Sequence, residues 1–219
     1  MWSTAQGEPH RNRERACPWC FIGKRRLEKA LAALAPAERP TIRWHAYQLM
    51  PEFPAGTSTP AKALLEQRFG GGARVKAMFD HVRAVARDEG IVLDVDRQIA
   101  CNTALAHRAI AIARSHGRED AAVEGFFRAH FEEGQDLAQV DVVVALLSAA
   151  VPDVDVDALR ASVLRGDGGE DVESDRREAR LLGVQGVPFF VRDERLAISG
   201  AQEPSTFVAF LREPSNAAS

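Results

Sequence analysis

"RERACPWCFIGKRRLEKAL", residues 13–31, decides how the rest of the chain is read. Cys17 and Cys20 stand three apart, with Pro18 and Trp19 between them, and a helical pattern runs on from the pair. Leu27, Leu31 and Leu34 recur at spacings of four and three, which predicts one apolar helix face, while Lys24, Arg25, Glu28 and Lys29 can turn to solvent. Pro18 suits the first turn, because the N–H it lacks has no intrahelical partner there. A cysteine pair so placed is half of a metal site, a structural disulfide or a working dithiol.

The working dithiol has a physical logic. Exchange needs a thiolate, and an ordinary thiol is mostly protonated at neutral pH. A helix N-terminus favours an anion by roughly 0.3–1 kcal/mol, and by up to ~2 kcal/mol in sheltered geometry. Cys17, where that field is strongest, is the expected nucleophile. Cys20, one turn on, is the resolving thiol that displaces a captured partner. Pro18 and Trp19 then tune the pair, and the cationic 23–26 stretch either assists a thiolate or is plain surface. A metal needs more ligands than one CxxC supplies. Cys101 stands alone, and His10, His45, His81, His107, His116 and His130 show no paired spacing. A permanent bridge between Cys17 and Cys20 would close a very short loop, where the entropic gain is smallest.

The 219 residues are enough for one large domain or two small ones. With 46% apolar and 27% charged residues, the composition is that of an ordinary soluble globular protein. A formal charge of -3 and a pI near 6.1 argue against a nucleic-acid binder, which concentrates basic charge. No apolar run approaches the ~18 residues of a membrane span. The first sixteen residues hold no apolar segment of the secretory type, so a cytoplasmic, reducing location is expected.

Further along, "TIRWHAYQL" (41–49) alternates as a strand does, and "MPEFPAGTSTP" (50–60) reads as a linker. From 61 to 182 the pattern is helical throughout, over 61–69, 73–89, 101–116, 119–132, 138–150, 156–165 and 168–182, with no convincing strand. Thr103 and Asp155 or Asp157 are candidate N-caps, and Gly183 is a C-cap. "VPFFVR" (187–192) and "LAISG" (196–200) predict a β-hairpin, followed by an amphipathic helix over 203–213. "DVDVD" (153–157) lacks the glycine and the final acid of a calcium loop, and "FGGGARV" (69–75) lacks the lysine of a phosphate loop and reads as a helix break. Cys101 is expected at a helix start, as a core cysteine. His107 and Arg108 either line a cleft beside the dithiol or lie on a solvated helix face.

"CPWCFIGKRRLEKAL" resembles the active-site helix of the DsbA-like thioredoxin-fold oxidoreductases, in particular the FrnE-type and 2-hydroxychromene-2-carboxylate isomerase-like branch. "CNTALAHRAIAIA" (101–113), "FFRAHFEEGQDLA" (126–138), "EARLLGVQGVPFFV" (178–191) and "ISGAQ" (198–202) extend the resemblance in order, over about residues 17–213. The resemblance implies an α/β thioredoxin-like fold with a large all-helical insertion. Residues 1–56 and 183–219 would form the discontinuous thioredoxin-like domain, and 57–182 the insertion. It also implies a cis bond before Pro188, which turns the Val187 backbone toward a partner lying beside the disulfide. Relatives start with an apolar strand; here residues 8–16 are polar, so the first strand is atypical or missing.

The implied activity is thiol–disulfide exchange or isomerisation, on a protein or small-molecule substrate. It needs no cofactor beyond the dithiol, with glutathione as a co-substrate in some relatives, and the chain is expected to be a monomer or homodimer that binds neither nucleic acid nor membrane. A cytosolic poise well below about -200 mV favours reduction or isomerisation over net oxidation. Two alternatives stay open. One is a glutathione-dependent isomerase or transferase acting on an aromatic small molecule; relatives of that kind commonly carry serine at the first position, so Cys20 favours redox chemistry. The other is a catalytically impaired binding module, suggested by the polar first segment.

Overall fold

A computed structural model describes residues 17–69, 71–193 and 195–213. The expected polar first strand over 8–16 lies outside them. The chain opens with helix α1 (Pro18–Ala32), Pro18 at its first position and the Cys20 N–H closing on the Cys17 carbonyl at 2.9 Å. An extended segment follows, then strand β1 (Ser58–Pro60), α2 (Ala61–Phe69), α3 (Gly72–Asp88) and strand β2 (Ile99–Cys101). Five helices come next: α4 (Ala104–Ser115), α5 (Glu119–Phe131), α6 (Val140–Ala150), α7 (Val156–Arg165) and α8 (Gly169–Leu181). The antiparallel hairpin β3 (Phe189–Arg192) and β4 (Leu196–Ser199) and helix α9 (Pro204–Arg212) complete it. No helix among the described residues is long and apolar enough to cross a membrane.

The helices fall where the periodicity predicts them, to within a few residues. Asp155 caps α7, its carboxylate accepting from the N–H groups of Asp157 and Ala158 at 3.0 and 3.1 Å, so "DVDVD" is a helix start. Thr103 occupies the N-cap position of α4, but the cap hydrogen bond comes from Asn102, whose Oδ1 accepts the Ala104 N–H at 2.9 Å. Gly168, before α8, has φ +76°, and a Cβ there would lie 2.5 Å from the Arg108 carbonyl oxygen. Only glycine lets α8 approach α4 so closely.

Two expectations about strands are corrected. Residues 61–182 do contain a strand: β2 pairs antiparallel with β1, Ser58 opposite Cys101 and Pro60 opposite Ile99. Three-residue strands are too short to show a period, and β1 sits inside the presumed linker. Cys101 therefore ends a strand and does not begin a helix. Conversely, 41–49 forms no ladder with any strand among the described residues. Its alternation is real, with Trp44 and Ala46 buried and Arg43 exposed. Side chains of the helices satisfy its backbone instead. The Ala46 N–H donates to Asp175 Oδ2 at 2.7 Å, and Arg114 donates to the Trp44 carbonyl at 2.9 Å.

The apolar core lies in several patches, two of which meet at α1. Phe21 and Ile22, both fully buried, pack with Val75, Phe79 and Phe131. Leu27 and Ala30, further along α1, pack with Phe190, Phe207 and Phe210 of the hairpin and α9. A third patch, built on Ala109, Phe126, Val143, Val144 and Leu147, holds α4 to α7 together. Each fully buried Phe or Ile contributes roughly 1.5–3 kcal/mol. The helix that carries the cysteines thus joins two of these patches.

Candidate active site

Cys17 is the residue before the first turn of α1, in extended conformation (φ -89°, ψ 115°), and both it and Cys20 are half-buried free thiols. The Cys17 thiol lies 3.5 Å from the Val187 carbonyl oxygen, so residues 170 positions apart meet at the sulfur. Cys20 hydrogen-bonds Cys17, and that bond, followed by burial, pushes the Cys20 thiol well above its usual range. The pair is asymmetric: Cys17 faces the Val187 carbonyl and Cys20 faces Cys17. Val187 is joined to Pro188 by a cis peptide bond. Trp19, half-buried against the α3 core, has its ring 5.8 Å from that of His81, the two planes tilted by 45°.

Gly23 lets the α1 backbone press on this bend. A Cβ there would come within 3.2 Å of both Pro188 Cγ and Phe190 Cζ. A Gly23→Leu side chain has the better helix propensity but must displace Pro188. We expect the overpacking to dominate, at about 1–3 kcal/mol of stability in urea unfolding.

The cationic stretch after the dithiol is not plain surface. Lys24 is 1% exposed and sits among Glu28, Glu124 at 3.2 Å and Asp120 at 3.4 Å, where Trp44 Nε1 also donates to Asp120 at 3.1 Å. Burial pulls the Lys24 pKa down, but the surrounding carboxylates outweigh it and hold the ammonium charged. Arg25 pairs with Glu124 and Arg26 with Glu89 at 2.7 Å, while Lys29 reaches Glu89 at 2.8 Å. These ion pairs tie α1 to α5 and to the end of α3.

Beside the sulfurs opens a cavity of about 110 Å³. Cys17, Cys20 and Val187 form one side; Trp44, Ile110, Phe126 and Leu137 supply apolar wall. His107 lines it, as one of its two sequence readings held, whereas Arg108 turns away to the carbonyls of Val163 and Asp167. His130, 3% exposed, also faces the cavity, and its Nδ1 has no hydrogen-bond partner in the protein. Sequence reasoning passed over His130; "FFRAHF" places it on a helix, and only the packing of α5 against α4 shows where it faces.

Burial pushes the pKa of His130 down to about 4, the Gln135 backbone offsetting it only in part. Burial likewise pushes His107 to about 4, against the Asp175 charge and the Tyr47 backbone. In an unfolded chain histidine titrates near ~6.5. Between these values the unfolded chain binds protons that the native protein does not, so stability falls as pH drops through that window. For His130 alone the loss from pH 7 to pH 5 is about 2 kcal/mol. Urea midpoints across this range are expected to decline less steeply in His130→Phe than in the wild type.

His45, Asp175 and Glu178 have the residue types and spacing of metal ligands. Asp175, 1% exposed, is already engaged by His45 Nδ1 at 2.9 Å and the Ala46 N–H, with Arg114 at 3.6 Å. That makes the cluster a charged joint between the extended segment and α8. Cys101 lies far along the chain from the dithiol, buried, its thiol pushed up to about 12 by burial and then by Asp136.

A CxxC at the tip of a helix, facing a hairpin bend, in an α/β frame interrupted by helices defines a dithiol protein of the thioredoxin class. The comparisons narrow this. The profile of the DsbA-like thioredoxin domain matches residues 14–212, and the chain belongs to that family. It is similar in structure to a probable DsbA oxidoreductase from Streptomyces coelicolor, with 32% identity and a TM-score of 0.82, over 90% of this chain and 84% of that one. No curated protein matches it.

Proposed function

We propose that the chain is a thiol–disulfide oxidoreductase working through Cys17 and Cys20. The Cys17 thiolate attacks one sulfur of a substrate disulfide, forming a mixed disulfide and releasing the other sulfur as a thiolate, which takes up a proton. Cys20 then loses its proton and attacks the Cys17 sulfur, freeing the second substrate thiol. Two electrons pass to the substrate, and the protein keeps a Cys17–Cys20 disulfide, which a low-molecular-weight thiol such as glutathione resets. Val187, at the Pro188 bend, is the backbone against which an extended substrate aligns. The reading also includes isomerisation, when the mixed disulfide is attacked by another substrate thiol, and a reducing cytoplasm as the setting.

The observation that carries this is the meeting at one sulfur of three parts: Cys17, just before α1, donates its thiol to the Val187 carbonyl at 3.5 Å, and Cys20, one turn on, hydrogen-bonds Cys17. The test is insulin reduction with glutathione as reductant. Wild-type protein is expected to accelerate precipitation of the insulin B chain over glutathione alone. An unchanged rate at stoichiometric protein would end the proposal.

A further inference from the structure

Three features of the cavity beside the dithiol bear on what enters it. Its size, about 110 Å³, is on the scale at which apolar protein cavities take up a single benzene-sized ring. Its walls are largely aromatic and aliphatic, with Ile110, Phe126, Phe127 and Leu137 around the space. Among the polar residues that also line it, with Thr103, His107 and Arg114, His130 stands out: it is 97% buried and its Nδ1 has no partner in the protein.

A buried polar atom without a partner is rare in native structures and calls for an account. The deep burial that holds His130 neutral also makes an ionic ligand group a poor match for it. A neutral imidazole offers either a lone pair or an N–H at Nδ1, depending on its tautomer. A hydroxyl answers both, since it donates and accepts. The remaining requirement comes from Cys17, which lines the same cavity: a sulfur on the ring would lie on the path of the nucleophile.

We propose that this cavity binds a hydroxylated aromatic thiol, presented as its disulfide, with the ring between α4 and α5, the hydroxyl on His130 Nδ1 and the sulfur at Cys17. The inference rests on the dithiol reading and specifies a small-molecule substrate class for it. The chemistry balances. The Cys17 thiolate attacks Ar–S–S–Ar, one ArS⁻ leaves and is protonated by solvent, and Cys17–S–S–Ar remains. Cys20 gives up its proton, displaces the second ArS⁻ and closes the Cys17–Cys20 disulfide. Two ArSH form, and two equivalents of glutathione return the protein to the dithiol as glutathione disulfide.

The test compares ortho, meta and para bis(hydroxyphenyl) disulfides with diphenyl disulfide, each rate divided by its uncatalysed exchange with glutathione. In the wild type at least one hydroxylated isomer should exceed diphenyl disulfide about tenfold in kcat/KM, the scale of one well-placed buried hydrogen bond. His130→Phe should erase that preference. Binding of 4-chlorophenol against chlorobenzene to the Cys17→Ser protein, by calorimetry, reads the same selectivity without redox chemistry, and decides the matter should His130→Phe fail to fold.

No isomer preferred by more than twofold, a preference that survives in folded His130→Phe, or equal binding of the two probes overturns the inference. Insulin reduction run alongside separates the failures. If insulin is turned over and no aromatic preference appears, the cavity proposal alone falls. If neither substrate is reduced, the dithiol reading falls with it.

Discussion

Cys17→Ser is expected to lower disulfide exchange to the uncatalysed rate, and Cys20→Ser to capture substrate once and hold it as a mixed disulfide. The two variants differ because the two sulfurs differ in place. Cys17 precedes the first turn of α1 and meets Val187 at 3.5 Å, where an incoming disulfide can reach it. Cys20 is one turn on, its thiol pushed well above its usual range by the bond to Cys17 and then by burial. Serine at position 17 removes the attacking atom, and a loss of roughly 10³-fold or more is the scale for removing a covalent nucleophile. Serine at position 20 leaves the first step intact and removes the release step. Insulin turbidity reads the first effect. Mass spectrometry under non-reducing conditions reads the second, as a covalent adduct on Cys20→Ser that glutathione removes. An adduct on Cys17→Ser of equal yield would reverse the assignment of roles.

Asp175→Ala is expected to cost about 3–5 kcal/mol, the range for breaking a buried charged joint. Asp175 is 1% exposed and accepts from His45 and from the Ala46 N–H, with Arg114 close by. Its loss strands the Ala46 N–H and detaches segment 41–49 from α8. That segment has no ladder among the described residues, so side-chain contacts such as this one and the Arg114 bond to the Trp44 carbonyl hold it in place. Burial raises the Asp175 pKa, but the His45, Ala46 and Arg114 contacts outweigh it and leave the carboxyl below its usual value. Its stabilising effect is therefore complete above the unfolded value near ~3.9 and is lost as pH falls below it. Urea unfolding at pH 7 should show the full difference between Asp175→Ala and wild type, and the difference should shrink on acidification below about pH 4. A constant difference down to pH 2 would contradict the charged-joint account.

What could be read from the sequence follows from how local each signal is. The dithiol is legible because four consecutive residues carry it, and Pro18 and the Leu27–Leu31–Leu34 spacing fix its place on a helix. The long helices are legible because ten or more residues repeat one period. Strands β1 and β2 were missed because three residues cannot show an alternation, and because Pro60 and its neighbours look like linker. Segment 41–49 reads as a strand from its faces, yet its hydrogen bonds come from Arg114 and Asp175, seventy or more positions away. The cavity was the least legible part. Trp44, His107, His130 and Val187 come from four separate elements, and no spacing in the chain connects them.

The third cysteine has a bearing on how the molecule can operate. Cys101 is buried at the end of β2, its thiol pushed up to about 12 by burial and then by Asp136, so it is expected to stay out of exchange at neutral pH. On the dithiol reading, the chain has one two-electron store, and Cys101 is not expected to take over its bridge. Each cycle has to end on another molecule, and a titration of the native reduced protein should count two reactive sulfhydryls, with the third appearing only in denaturant.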